Sequence, residues 1–295
     1  MKTVGFIGTG GMGSGMAANL IKAGYRLVVN DLRRERARGL EGEGAQFKDS
    51  PKAVAESCEL VLSMLPNNDA VRAVALDKGG LAEATAGTKV WIDFSSIDKA
   101  TIVSVSDELS QKGWTVVDAS AGGVEEVAAA GELALWLSGS KALFDEHQPI
   151  FKAMGKSILH VGELGNAKLV KNAMAMLAAV QHLSLVEICC WLRKGGLDAA
   201  TFQTIIKNSQ QDSVATRRIM EILVSRKFKP RKSWMPKDVG LGLDMARDME
   251  VPMPFVGLAQ QMFAIAQATG QDGYEATGIA CNVYDVINGN KTKPS

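Results

Sequence analysis

The 295-residue sequence predicts an α/β fold: an N-terminal parallel-sheet domain, then an all-helical C-terminal domain, joined by one long helix. Three observations carry this. Short apolar runs alternate with amphipathic segments through the first half, the pattern of a parallel sheet covered by helices on both faces. The first apolar run opens directly into a glycine cluster. After Gly165 the strand signals stop and only helical patterns follow.

Strand-like runs lie at 3–7, 26–30, 59–64, 89–93 and 115–118, with two more at 133–138 and 157–160. Helical patterns fall at 12–23, 70–74, 100–111 and 142–154. From 167 to 194 there is neither Pro nor Gly, and apolar residues fill most positions. A helix of that length would span about 42 Å at 1.5 Å per residue. Being apolar nearly all round, it is expected to be buried on several sides. Gly195 and Gly196 supply its stop signal. Further helices are expected at 199–207, 213–224, 237–248, 254–268 and 275–287, and a frayed polar tail at 288–295. The expected domains are residues 1–163 and 164–295.

Composition excludes more than it names. Apolar residues make up 46% and charged residues 22%, with 33 Lys plus Arg against 32 Asp plus Glu. A net charge of +1 supplies no global field to hold nucleic acid or an acidic membrane. No uninterrupted apolar run approaches the ~18 residues of a membrane span. The opening MKTVGFIG lacks a signal peptide's apolar core. Cys58, Cys189, Cys190 and Cys281 have no zinc-type or disulfide-framework spacing, which suits free thiols in a reducing compartment. A cytoplasmic protein without metal is expected.

The first strand runs into Gly8-Thr9-Gly10-Gly11-Met12-Gly13, a GxGxxG loop between a strand and a helix. In a Rossmann-type domain Gly8 permits the tight turn, Gly10 lets backbone approach a pyrophosphate, and Gly13 lets helix and strand pack closely. The helix N-terminus then offers free N–H groups to the phosphates. Asn30 and Asp31 end the second strand, and Asp31 lies eighteen residues past Gly13, close to the spacing of a ribose-binding acid. A carboxylate there favours NAD over NADP, whereas Arg33 and Arg34 offer an alternative host for a 2′-phosphate.

His147, His160 and His182 lie in no nucleophile or metal motif. Lys168 and Lys171 stand three apart at the start of the long helix and share roughly one face. Either could snorkel to water or, kept inside a cleft, act as an acid/base with a lowered pKa. The residues alone leave both readings open.

The combined motifs resemble the β-hydroxyacid dehydrogenase family over nearly the whole chain. The glycine loop followed by Met16-Ala17-Ala18-Asn19-Leu20 is similar to the family's cofactor motif. Met64-Leu65-Pro66-Asn67 resembles the loop on the nicotinamide side, and Asp93-Phe94-Ser95-Ser96 a further cofactor contact. Asp118-Ala119-Ser120-Ala121-Gly122-Gly123 resembles the substrate-carboxylate loop, and Lys237-Asp238 a Lys-Asp motif of the helical domain. The family's catalytic lysine has a glycine six residues before it and a glutamate sixteen after. Gly165, Lys171 and Glu187 fit both intervals, and Lys168 fits neither.

The resemblance implies Lys171 as acid/base, its pKa lowered by burial and by the charge of Lys237. It implies NAD held by Gly8, Thr9, Gly10, Gly11, Met12, Gly13, Asn30, Asp31, Leu65, Pro66, Ser96 and Lys237. Ser120, Ala121, Gly122, Gly123, Lys171, Ala175 and Lys237 would meet the substrate in an interdomain cleft. Two positions depart from the pattern: Ala175 stands where the family has Asn, and Gly122-Gly123-Val124 where it has Ser-Gly-Gly. Ser120 or Asn172 could replace the missing contacts. The expected activity is NAD-dependent oxidation of a small 3-hydroxy acid such as 3-hydroxyisobutyrate. The alternatives are an imine, ketone or aldehyde-acid reductase using NADPH, and a non-enzymatic reader. A homodimer or homotetramer without nucleic acid or membrane is expected. In the basic stretch 226–232, Arg231 or Lys232 is a candidate for a second anionic group on the substrate.

Overall fold

The computed structural model describes residues 2–87, 89–230 and 233–289; Arg231, Lys232 and most of the tail expected to fray lie outside them. The chain forms two compact units, Met1–Lys171 and Asn172–Ser295, divided within the long helix.

The first unit is an eight-stranded sheet. Its strands are β1 (Thr3–Ile7), β2 (Arg26–Asn30), β3 (Gln46–Phe47), β4 (Leu60–Ser63), β5 (Val90–Asp93), β6 (Thr115–Gly122), β7 (Leu133–Ser138) and β8 (Gly155–His160). Their order is β3-β2-β1-β4-β5-β6-β7-β8. All neighbours are parallel except β6 and β7, so the sheet is mostly rather than wholly parallel. Only residues 123–132 join β6 to β7, too few for a parallel crossover, which takes a dozen or more.

The helices of this unit are α1 (Gly11–Lys22), α2 (Arg38–Gly42), α3 (Pro51–Ala55), α4 (Asn68–Leu76), α5 (Lys99–Ser110), α6 (Glu125–Ala129), α7 (Lys141–Glu146) and α8 (Gln148–Met154). The strands are apolar on both faces because both are covered. Phe6, Val29, Leu62, Ile92 and Val117 pack against Met16, Ala17 and Leu20 of α1 and Phe151 and Met154 of α8. Ile7, Val28, Val61 and Trp91 pack on the opposite face with Val54 of α3, Val71 of α4 and Ile102 and Val105 of α5. The helix expected over 142–154 is two helices that part at His147. Pro149, in the first turn of α8, has no N–H to continue a ladder from α7.

The long helix α9 (Asn166–Lys194) begins in the first unit. The second unit comprises its remainder with α10 (Ala199–Lys207), α11 (Val214–Ser225), α12 (Met235–Asp248), α13 (Pro254–Ala268) and α14 (Ala276–Ile287). Their apolar faces meet in one core of Val186, Met220, Val239, Phe263, Ile279 and Val283, among others. Contrary to expectation, α9 is not buried on most sides: Met174, Leu177, Ile188 and Trp191 are exposed, Trp191 by 73%. By length and composition α9 is long and apolar enough to cross a bilayer. That corrects the reading from uninterrupted runs, which Lys171, Gln181 and Ser184 break without much lowering the average.

All four cysteines are free, Cys58 and Cys281 buried. Burial pushes the thiols of Cys58 and Cys281 up to about 11 and about 12. Two of the three histidines make internal contacts: His160 Nε2 lies 3.0 Å from the Gly139 carbonyl, and His182 Nδ1 lies 2.8 Å from Thr277 Oγ1.

Candidate active site

The glycine loop is built as its spacing requires. Gly8 sits at φ +91°, and a Cβ there would lie 2.4 Å from the Met64 carbonyl oxygen. A Cβ on Gly13 would lie 2.0 Å from the Gly8 oxygen. Both glycines are therefore obligatory. Gly10 differs: within 4 Å a Cβ there would meet only Arg36 Nη1, at 3.6 Å, so the backbone face stays open. Gly10 caps α1 without a side-chain bond, and the first turn of α1 has no acid of its own. Its N–H groups are thus left uncapped from within α1, where an anion can be held, although the Glu125 carboxylate of α6 lies against Gly11.

Asp31 is held over this turn. Its Oδ2 accepts from the Thr9 N–H at 2.8 Å, and its Oδ1 accepts from the Arg33 N–H at 2.9 Å. Asn30 supports the turn from both ends: its carbonyl accepts from Gly8 N, and its side chain donates to the Lys48 carbonyl. The open backbone at Gly10, the uncapped helix end and the fixed carboxylate fit a dinucleotide. Sequence spacing did not reveal Arg36 beside Gly10, or Glu125, whose carboxylate lies against Gly11. Met12 is half-buried in the first turn of α1, where it packs on the core.

On the next strands, Leu65 donates its N–H to Ser95 Oγ at 2.9 Å, and Ser95 Oγ donates to Asp93 Oδ1 at 2.6 Å. Pro66 is exposed and Ser96 half-buried. The loop resembling a nicotinamide contact is thereby tied to the end of β5.

The two lysines differ sharply. Lys168 is fully buried. Its Nζ donates to the carbonyls of Asp93 and Ala119 at 3.0 and 2.8 Å, and lies 3.0 and 2.9 Å from carboxylate oxygens of Asp93 and Asp118. Burial alone would lower its pKa, but the two carboxylates outweigh that and raise it. Asp118 also caps α9 from outside, since its Oδ2 accepts from the Ala167 N–H at 3.1 Å. Lys171, one turn on and half-buried, donates to the Ala121 carbonyl at 3.0 Å. β5 pairs with β6 only as far as Asp93 and Asp118. Beyond that point two ammonium groups take the β6 carbonyls of Ala119 and Ala121.

Around that segment, Ser120 is fully buried and its Oγ has no hydrogen-bond partner among the described residues. Gly122 lies against the ring of Trp136. Gly123, at φ +149°, is closely packed by Leu133 and Val127. In the second unit Lys237, in the first turn of α12, lies 3.7 Å from Asp238 Oδ1 and 5.9 Å from the Trp234 ring centre. Ala175 is half-buried on α9, and Asn172 is buried.

A glycine-rich strand-to-helix turn at the carboxyl end of β1, inside a doubly covered sheet, with an acid fixed at the end of the second strand, defines a dinucleotide-binding protein. Residues 3–162 match the NAD binding domain of 6-phosphogluconate dehydrogenase, and residues 165–281 the family described as NAD-binding of NADP-dependent 3-hydroxyisobutyrate dehydrogenase. The second match includes α9. The chain is 32% identical over 289 residues to 2-(hydroxymethyl)glutarate dehydrogenase of Eubacterium barkeri, covering 97% of this chain and 96% of that one. It is also 32% identical over 290 residues to 3-hydroxyisobutyrate dehydrogenase of Pseudomonas aeruginosa, covering 92% and 94%. Among solved structures, Mycobacterium tuberculosis 3-hydroxyisobutyrate dehydrogenase with L-serine superposes with a TM-score of 0.88 at 26% identity, covering 96% and 99%. The chain belongs to the β-hydroxyacid dehydrogenase family and is an NAD(P)-dependent oxidoreductase.

Proposed function

We propose that the protein oxidises a small 3-hydroxy acid with NAD and that Lys171 exchanges the hydroxyl proton. The observation that carries this is the placement of Lys171 Nζ, 3.0 Å from the Ala121 carbonyl on the segment that resembles the family's substrate loop. Lys168, its rival, is locked between two carboxylates that favour the charged form, so it is poorly suited to give up a proton.

The chemistry that a bound nicotinamide supplies is acceptance of a hydride from the carbon bearing the hydroxyl. Lys171, in its neutral form, takes the hydroxyl proton as that C–H bond breaks, leaving a carbonyl. Backbone N–H groups around 120–123 hold the substrate carboxylate. Gly8 to Gly13 and Asn30 seat the dinucleotide, with Leu65, Pro66 and Ser96 on its nicotinamide side. Asp31 accepts the ribose hydroxyls and repels a 2′-phosphate, which favours NAD.

The relatives named for 2-(hydroxymethyl)glutarate and 3-hydroxyisobutyrate support a hydroxy-acid substrate. A second reading, NADPH-dependent reduction of an aldehyde acid, rests on Arg36 beside Gly10. It also rests on similarity to glyoxylate/succinic semialdehyde reductase 2 of Arabidopsis thaliana, 29% identical over 91% of this chain. The exposed apolar residues of α9 support a homodimer or homotetramer. The cytoplasm is the proposed compartment.

Initial rates with NAD and NADP over a panel of 3-hydroxy acids and their aldehydes test the reading. Turnover of a 3-hydroxy acid with NAD is expected. Binding of NAD with no turnover anywhere in the panel overturns it.

A further inference from the structure

Trp136 on β7 stands directly across from Ser120 on β6, and Gly122 is the next residue of β6 on the same face. The six-membered part of the indole leans over Gly122. A Cβ built there would lie 2.6 Å from Cη2, 3.1 Å from Cζ3 and 3.4 Å from Cζ2. A side chain at 122 and the indole in this place exclude one another, so a residue larger than glycine there requires the ring to shift. The serine expected at 122 from the family pattern is absent for a local reason: its volume is taken by Trp136.

The exchange changes chemistry as well as shape. A serine hydroxyl both donates and accepts a hydrogen bond, whereas the face of an indole does neither. The remaining hydroxyl of the segment, on Ser120, is fully enclosed and offers no substitute to a ligand. Trp136 is itself only half-buried, so part of its ring borders the segment.

We propose that Trp136 is a specificity-determining residue. It selects 3-hydroxy acids with an apolar group on the carbon between carboxylate and hydroxymethyl, against those with a hydroxyl there. The proposal rests on the reading of residues 120–123 as the substrate loop.

The test is a double-mutant cycle of Gly122→Ser, Trp136→Leu and the double variant, read by Tm and by kcat/KM. The two substrates are 3-hydroxyisobutyrate and glycerate, which differ by methyl against hydroxyl on that carbon. Gly122→Ser alone should lower Tm, and most of that loss should vanish in the Trp136→Leu background. The wild type should favour 3-hydroxyisobutyrate, and the double variant should reduce that preference about tenfold or more by regaining a hydroxyl partner. Additive Tm changes overturn the steric pairing. Coupled Tm changes with an unchanged substrate ratio overturn the specificity role. A wild type that binds NAD but turns over no 3-hydroxy acid of the panel overturns the underlying functional reading, whereas turnover of others but of neither of these two overturns the specificity role. Failure across the panel is distinct from a failed pairing, because the Tm coupling is read without any substrate.

Discussion

Lys168 and Asp118 meet at 2.9 Å with both side chains wholly removed from solvent, and Asp93 closes the cluster from the neighbouring strand. One cation faces two anions. The remaining oxygens are served by Ser63, Ser95 and Ser138 hydroxyls and by the Ala167 N–H. Removing the cation leaves two buried carboxylates facing each other. Lys168→Met should therefore cost about 3–5 kcal/mol, the scale for breaking a buried pair by removing one partner. Urea unfolding measures this. The double variant with Asp118→Asn should lose less than the two single losses together, and full additivity would refute the coupling.

Lys171→Met should behave differently. Binding of NAD, followed by fluorescence, should stay within a few-fold of wild type, while kcat falls by about 10²–10⁴, the range for losing a general acid/base. Lys171→Arg places a permanently protonated group there that cannot take up the hydroxyl proton, so it should fail equally. An arginine variant with near-normal kcat would remove the lysine from the chemistry.

Asp31 accepts backbone N–H groups from Thr9 and Arg33 through different oxygens. Asp31→Ser keeps a hydroxyl acceptor for Thr9 and removes the charge that opposes a 2′-phosphate. The ratio of kcat/KM for NADP to that for NAD should rise at least about tenfold, since one unfavourable charge contact is worth roughly 1.4 kcal/mol or more. Arg33, Arg34 and Arg36 nearby would assist.

His182 links stability to pH. Burial first, then the charge of Arg218, depress its pKa to about 4 from an ordinary 6.5. The unfolded chain therefore binds the proton more readily between those values. The full benefit of a neutral, buried ring is present above pH 6.5, and it declines as the pH falls to about 4. The loss reaches on the order of 3 kcal/mol. The Tm of His182→Gln should fall less steeply over that interval than that of wild type.

Much of the fold was legible because its signals are local. β1, β2 and β7, together with α10 and α13, fall where the residue pattern places them. The glycine loop was legible for the same reason, since each glycine answers a steric demand within a few residues of backbone. Short elements such as β3 and α6 were missed because two to five residues carry no period. The antiparallel turn of β7 was missed because it depends on the length of a connection rather than on its apolar pattern. In the candidate site, the contrast between Lys168 and Lys171 was beyond the sequence. Their identical charge and shared helix face hide that one meets Asp93 and Asp118 from distant strands. The match of Trp136 to Gly122 was hidden likewise, because strand pairing brings together residues fourteen apart.

The lysines also decide where the first unit can be cut. The carbonyls of Asp93, Ala119 and Ala121 accept from the ammonium groups of Lys168 and Lys171, which the chain supplies only in the first turns of α9. A fragment ending at residue 163, where the strand signals stop, would carry those carbonyls and the carboxylates of Asp93 and Asp118 without their cations. The sheet is thus completed by residues that a reader of the sequence would assign to the next domain, and any attempt to express it alone must run through the first turns of α9.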